Sequence, residues 1–208
     1  LIPRFYDVTE GSITIDGVDI RDVPQQELRK QIGYIPQKGI LFSGTVESNL
    51  KFGDEKATQD DLQHAVTIAQ AKSFIQEDGQ GLEREIAQGG ANVSGGQKQR
   101  LTIARALVKK APIYIFDDSF SALDFKTDAE LRKALKEQTS SSTILIVTQR
   151  VSTILQADQI IVLDDGDIVG KGTHKELMKT CQTYREMALS QLSLEELSLQ
   201  TNPTALPA

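Results

Sequence analysis

Ile113-Tyr114-Ile115-Phe116-Asp117-Asp118 is the stretch on which the fold turns. Four apolar residues in succession, without the alternation of a half-exposed strand, read as a strand covered on both faces, as in a parallel sheet. Two carboxylates follow at its end, and open α/β sheets bind ligands outside the carboxyl ends of their strands. One reading makes Asp117 and Asp118 metal-holding groups. The other makes them the start of a turn and the cap of the next helix. A second apolar run at 144–147 has the same character, and a helix over 127–138, with Thr127 and Glu130 as a capping box, lies between them. Strand, helix and strand in that order predict a parallel sheet with right-handed crossovers.

Working outward, residues 11–16 alternate through Ser12, Ile13, Thr14 and Ile15 and run into Gly17, a strand-and-turn signal. Residues 31–35 read as a second strand stopped by Pro36, which cannot donate to a ladder. No strand is expected from there to 113. The pattern over about 38–110 is helical, with Thr58 and Asp61 as a capping box and Leu62, Ala65, Val66 and Ala69 on one helical face. On the far side, strands at 159–164 and 167–170 are joined by Asp165-Gly166, a hairpin turn. Residues 193–208, rich in Ser, Thr and Gln with two prolines, read as a poorly ordered tail after a domain over 1–192.

Composition narrows the classes. A chain of 208 residues, 39% hydrophobic and 25% charged, suits one globular domain. A net charge of -6 argues against a nucleic-acid binder held by bulk charge. The apolar runs are far shorter than a membrane span. Cys181 has no partner for an internal disulfide and two histidines make no zinc framework, which together point to a reducing compartment. His64 reads as a surface residue of the helix begun at Thr58, and His174 sits inside a Thr173/Glu176 capping box. The chain opens on Leu1 without a secretory signal and reads as part of a longer protein.

A second chemical signal is Asn92-Val93-Ser94-Gly95-Gly96-Gln97, followed by a helix to about Lys109. Ser94 is a natural N-cap, and two glycines let a ligand approach the backbone. This is either a phosphate site at a helix N-terminus or a flexible loop before an ordinary helix. Lys98, Arg100 and Arg105 read as residues of the helix's polar face.

Taken together these motifs resemble the ATP-binding cassette of ABC transporters. The run Ser94-Gly95-Gly96-Gln97-Lys98-Gln99-Arg100 is similar to the signature, 113–118 to the Walker B strand, and Ser121-Ala122-Leu123-Asp124 to the D-loop. Tyr34-Ile35-Pro36-Gln37 resembles the Q-loop, Asp158 to Gly172 the closing hairpin, and Leu1 to Asp7 the helix after the Walker A loop. The resemblance implies a P-loop-NTPase-like α/β core with a parallel sheet and an inserted helical subdomain. No G-x-x-x-x-G-K-[ST] occurs, so the N-terminal strands, Walker A loop and adenine-stacking aromatic are expected upstream of Leu1, and the chain alone is not expected to bind or hydrolyse ATP well.

The resemblance further implies ATP and Mg²⁺ as cofactors. Asp117 would hold the Mg²⁺ shell, and Gln37 would contact Mg²⁺ or the attacking water. Ser94, Gly95, Gly96 and Gln97 would reach the γ-phosphate of ATP held by a second cassette, and Asp124 would meet that partner. The region 39–49 would touch transmembrane coupling helices, with Phe42 either a contact there or a buried core residue. Gly44-Thr45-Val46-Glu47-Ser48-Asn49 resembles exporters specifically, implying a place on the cytoplasmic face of the cell membrane rather than in a soluble cassette protein of translation or DNA repair.

Two positions depart from the family. The general-base Glu is replaced by Asp118, and the His after the 143–148 strand by Gln149. Asp is shorter by one carbon–carbon bond, about 1.5 Å. A misplacement of about 1 Å can cost roughly 100-fold in rate, or about 2.7 kcal/mol of barrier. Gln149 can hydrogen-bond a phosphate oxygen but cannot become cationic. The signature is intact, and Gln88-Gly89-Gly90 before it differs from the Gly-Glu-Arg-Gly common in homodimeric exporters. A weakened site beside an intact signature implies a heterodimer with a different cassette subunit; the alternative is a homodimer that tolerates Asp and Gln at these positions. The rival is a regulatory latch that binds ATP without turning it over.

Overall fold

The computed structural model describes residues 1–192, so the expected tail at 193–208 lies outside the described residues. The chain forms two compact units, 1–147 and from Thr148 onward. The first unit opens with a hairpin of β1 (Thr14–Ile15) and β2 (Val18–Asp19), then α1 (Gln25–Lys30) and β3 (Ile32–Ile35). There follow β4 (Gly44–Thr45), α2 (Val46–Lys51), α3 (Gln59–Ile68), α4 (Lys72–Gln76), β5 (Glu85–Ile86) and α5 (Gly95–Val108). It closes with β6 (Ile113–Asp117), α6 (Phe125–Gln138) and β7 (Thr143–Val147). The second unit holds α7 (Val151–Ile154), the antiparallel hairpin of β8 (Ile160–Asp164) and β9 (Asp167–Gly172), α8 (His174–Thr180) and α9 (Gln182–Gln191).

The expected parallel sheet is present in the order β3-β6-β7, with Tyr34 opposite Ile115 and Ile115 opposite Leu145. Its two faces join different cores. Ile35, Tyr114, Phe116, Ile144 and Ile146 face the larger core, with Leu62, Val66, Phe74 and Leu101 among its helical residues. Ile32, Ile113, Ile115 and Leu145 face a smaller one with Ile20 and Leu28. Burial of side chains of this size contributes about 1.5–3 kcal/mol each. β6, central and buried from Tyr114 to Phe116, fits the expectation of a strand covered on both faces. β7 does not: it is an edge of this sheet among the described residues, its side chains are only half-covered, and Val147 is 57% exposed.

Local chemistry sets most element ends. Thr58/Asp61, Ser94/Gln97 and Thr173/Glu176 each form a reciprocal capping box. The hairpin turn runs through Asp165 and Gly166, both at positive φ (48° and 89°), the conformation Asp-Gly favours. Its second strand reaches Gly172 rather than Gly170, because Ile160 pairs with Gly172. Three expectations need correction. Residues 1–7 form no helix: Arg4 closes one turn on Leu1 (2.8 Å) and takes φ 53°, which ends it. Thr127 does not cap α6; Asp124 does, accepting the Thr127 amide (2.9 Å) and hydroxyl (2.7 Å). Two short strands do occur between 35 and 113, where Gly44 pairs with Ile86 and Thr45 with Glu85.

Candidate functional site

The parallel register builds the first half of the site. Tyr34 lies opposite Ile115, so Asp117, two residues further on, shares its face of the sheet. The Tyr34 hydroxyl donates to Asp117 Oδ2 at 3.0 Å, and Phe5 meets the Tyr34 ring edge-on at 5.6 Å. Burial, with the Asp117 carboxylate beside it, pushes the Tyr34 phenol up from its ordinary pKa. Asp118 continues the ladder by donating its amide to the Val147 carbonyl (2.8 Å), yet it adopts φ 44°. That left-handed conformation is uncommon for a residue with a side chain. There its carboxylate Oδ2 accepts a hydrogen bond from Gln37 Nε2 at 3.2 Å. Its carbonyl accepts the Ser121 hydroxyl at 2.8 Å, and the buried Ser119 donates its hydroxyl to the Ile35 carbonyl at 2.8 Å. The two carboxylates therefore begin a turn but do not cap the following helix, a task left to Asp124.

The second half is the start of α5. The Ser94 hydroxyl accepts the Gln97 amide (3.2 Å), and Gln97 Oε1 accepts the Ser94 amide (2.9 Å). Ser94 and Gly95 are exposed, and nothing lies within 4 Å of where a Gly95 side chain would begin. The amides of Gly95 and Gly96 precede the helical ladder, at the positive end of the helix dipole. Gly96 instead faces inward: a Cβ there would meet the Ala122 carbonyl at 3.2 Å, so the 121–124 loop rests on the signature backbone. Exposed Asp124 has its carboxyl held below the usual carboxylate range by the Thr127 amide and hydroxyl.

Of the residues singled out in the sequence, the structure brings together Gln37 and Asp118, with Asp117 beside them, and sets the Gly95–Gly96 turn against the loop leading to Asp124. Gln149 lies in the second unit, exposed, its carbonyl accepting Gln191 Nε2 at 2.9 Å. Phe42 is no core residue: it is 47% exposed, stacks on Phe52 at 4.6 Å and lies under Arg105 at 5.3 Å. Arg105 is not a solvated polar-face residue. It is half-buried, bonds the Asn49 and Ile40 carbonyls and Asn49 Oδ1, and burial pushes its guanidinium pKa down. The missed signal is that from Leu101 to Val108 every residue of α5 but Arg105 is buried, so a cation there needs internal partners. Tyr34 needed the strand register to be found.

Among the described residues no group of three or more His, Cys, Asp and Glu side chains could hold a metal ion. A divalent ion at Asp117 and Gln37 would therefore rely on one carboxylate and one amide oxygen with water and substrate oxygens. That donor set fits Mg²⁺, which keeps several waters and binds through one or two carboxylates plus phosphates.

The ABC transporter family model matches residues 1–121. The chain is 49% identical over 194 residues to an uncharacterized ABC transporter ATP-binding protein of Mycobacterium bovis, covering 92% of this chain and 33% of that one. It is 45% identical over 185 residues to the ATP-dependent lipid A-core flippase of Desulfotalea psychrophila, covering 89% and 32%. A bacterial Atm1-family ABC exporter solved with ATP bound superposes with a TM-score of 0.88 at 38% identity, over 91% of this chain and 33% of that one. The chain belongs to the ABC transporter family and carries its nucleotide-binding fold. It spans about a third of the length of the relatives it matches. No helix among the described residues is long and apolar enough to cross a membrane.

Proposed function

We propose that this chain is the ATP-binding and ATP-hydrolysing part of an ABC exporter subunit, working against a second cassette and beneath transmembrane domains at the cytoplasmic face of the membrane. In this reading 1–192 is one cassette domain with a helical subdomain at about 38–110. The similarity to an exporter with ATP bound and to a lipid A-core flippase supports export as the direction. A groove of about 270 Å³ bordered by Ile40, Phe52 and Arg105 lies beside exposed Phe42, which suits the region assigned to coupling-helix contact.

Asp117 and Gln37 would hold Mg²⁺ with ATP, and Asp118 would orient water. Bound Mg²⁺ would supply charge neutralisation and alignment of the β- and γ-phosphate oxygens. Tyr34 and Gln37 each spend a hydrogen bond holding these carboxylates. The Ser94–Gln97 start would serve the γ-phosphate of ATP on the partner cassette. Asp118 and Gln149 make this chain's own site the slow one, and its intact signature completes the faster site, in a heterodimer. The observation that carries the reading is the open start of α5: Ser94 and Gly95 are exposed, and among the described residues nothing lies within 4 Å of where a Gly95 side chain would begin.

The test is ATP turnover by the full-length protein co-purified with its cassette partner. Gly95→Asp, which puts a carboxylate where a phosphate would sit, is expected to lower Mg²⁺-dependent turnover by about 100-fold or more. Turnover within a few-fold of the unmodified complex would overturn the reading. A non-hydrolysing latch predicts no turnover at this chain's own site whatever is done to Asp118.

A further inference from the structure

Gln99 is 2% exposed, in the second turn of α5, and its amide is spent on a different loop. Its Nε2 donates to the Pro36 carbonyl at 3.1 Å, and its Oε1 accepts the Gly39 amide at 3.0 Å. The two bonds fall on either side of Gln37, whose own amide meets Asp118. The loop is pressed onto the helix at this point. A Cβ on Gly39 would lie 2.6 Å from Thr102 Oγ1 and 3.0 Å from Gln99 Oε1, so only glycine lets the backbone lie this close. One turn further along α5, Arg105 donates to the Ile40 carbonyl at 2.8 Å.

A buried amide is costly unless both of its ends are paired. An apolar residue of equal volume would fill this position and leave the Pro36 carbonyl and Gly39 amide without it. The amide is thus matched to the loop rather than to the core. The same helix begins at Ser94–Gln97, five residues from Gln99 to the signature serine and little more than one turn along a rigid element.

We propose that Gln99 is a positioning residue: it holds the backbone on both sides of Gln37, fixes that amide at Asp118, and ties the Q-loop to the helix that carries the signature. This rests on the assignment of Gln37 to the nucleotide site. Gln99 itself touches no substrate; it acts through the loop. Removing it frees 36–39 to open locally, because those backbone bonds are made to a side chain and to no ladder.

Two measurements on the full-length protein test this. In hydrogen exchange without nucleotide, Gln99→Leu is expected to speed exchange of the 36–41 segment by about tenfold. Gln99→Glu, which still accepts from Gly39 but cannot donate to Pro36, falls between Leu and the unmodified protein and serves if the Leu variant fails to fold. Unchanged exchange in both variants overturns the clamp. The second measurement is the Mg²⁺ concentration for half-maximal photolabelling of this subunit by 8-azido-ATP. Gln37→Ala is expected to raise it about fivefold, Gln99→Leu to raise it similarly, and the double variant to raise it no further, since two residues acting as one unit are non-additive. Additive effects, or no effect of Gln99→Leu beside a clear effect of Gln37→Ala, overturn the role of Gln99 and leave that of Gln37 standing. No effect of Gln37→Ala overturns the assignment of Gln37 itself, and the proposal with it.

Discussion

The carboxylate end of β6 and the start of α5 are both made of residues suited to phosphate chemistry, but they are held in opposite ways. Around Asp117 and Asp118 the bonds are long-range: Tyr34 and Gln37 come from over eighty positions away in sequence, and Ser119 ties the turn to Ile35. Around Ser94 every bond is local, Ser94 to Gln97 and back, and the glycine beside it faces open space. A site braced by its own tertiary structure is one the chain arranges for itself. A self-capped, outward helix start is one presented to something else. That contrast is consistent with the two different nucleotide sites that the family resemblance implies for the two motifs.

The contrast can be broken by stability measurements. The largest expected effect is at Arg105, which anchors the Q-loop side through carbonyls of Ile40 and Asn49 and two aromatic faces. Arg105→Ala strands the acceptors of buried Asn49, loses the bond to Ile40, and is expected to lower the unfolding free energy, measured by urea denaturation of this chain, by about 2–3 kcal/mol. A loss below about 1 kcal/mol would show that the loop is not braced by α5 as described. Ser94→Ala is expected to cost less, about 1 kcal/mol, and Ser94→Gly only a few tenths, since only a local cap is lost. A Ser94→Ala cost as large as that of Arg105→Ala would erase the distinction between the braced and the presented region.

What the sequence makes legible follows the same division. The Thr58/Asp61 and Thr173/Glu176 capping boxes are read within four residues, and the Asp-Gly hairpin within two, so pattern alone reaches them. The parallel sheet is legible from uninterrupted apolar runs, although a run cannot tell central β6 from edge β7. Where two local patterns compete, reading fails: Asp124 before Thr127 and Thr127 before Glu130 both look like caps, and the carboxylate that accepts both the amide and the hydroxyl of Thr127 prevails. β4 and β5 are two residues each, too short to show a period, and exist only because distant segments meet. Tyr34 against Asp117 and Gln99 against the 36–39 loop are likewise products of register and packing. The signature motif is therefore plain in the sequence, and the bracing of the carboxylates is not.

In the proposed function this chain supplies a slow site of its own and completes a faster one elsewhere. This is tested most directly by ATP turnover of the full-length protein, co-purified with its cassette partner, carrying Asp118→Ala and compared with the same complex carrying Gly95→Asp. Asp118→Ala is expected to keep at least about half of the turnover, whereas Gly95→Asp is expected to lose about 100-fold or more. If Asp118→Ala falls as far as Gly95→Asp, Asp118 is a working catalytic group and the asymmetry between the two sites is wrong.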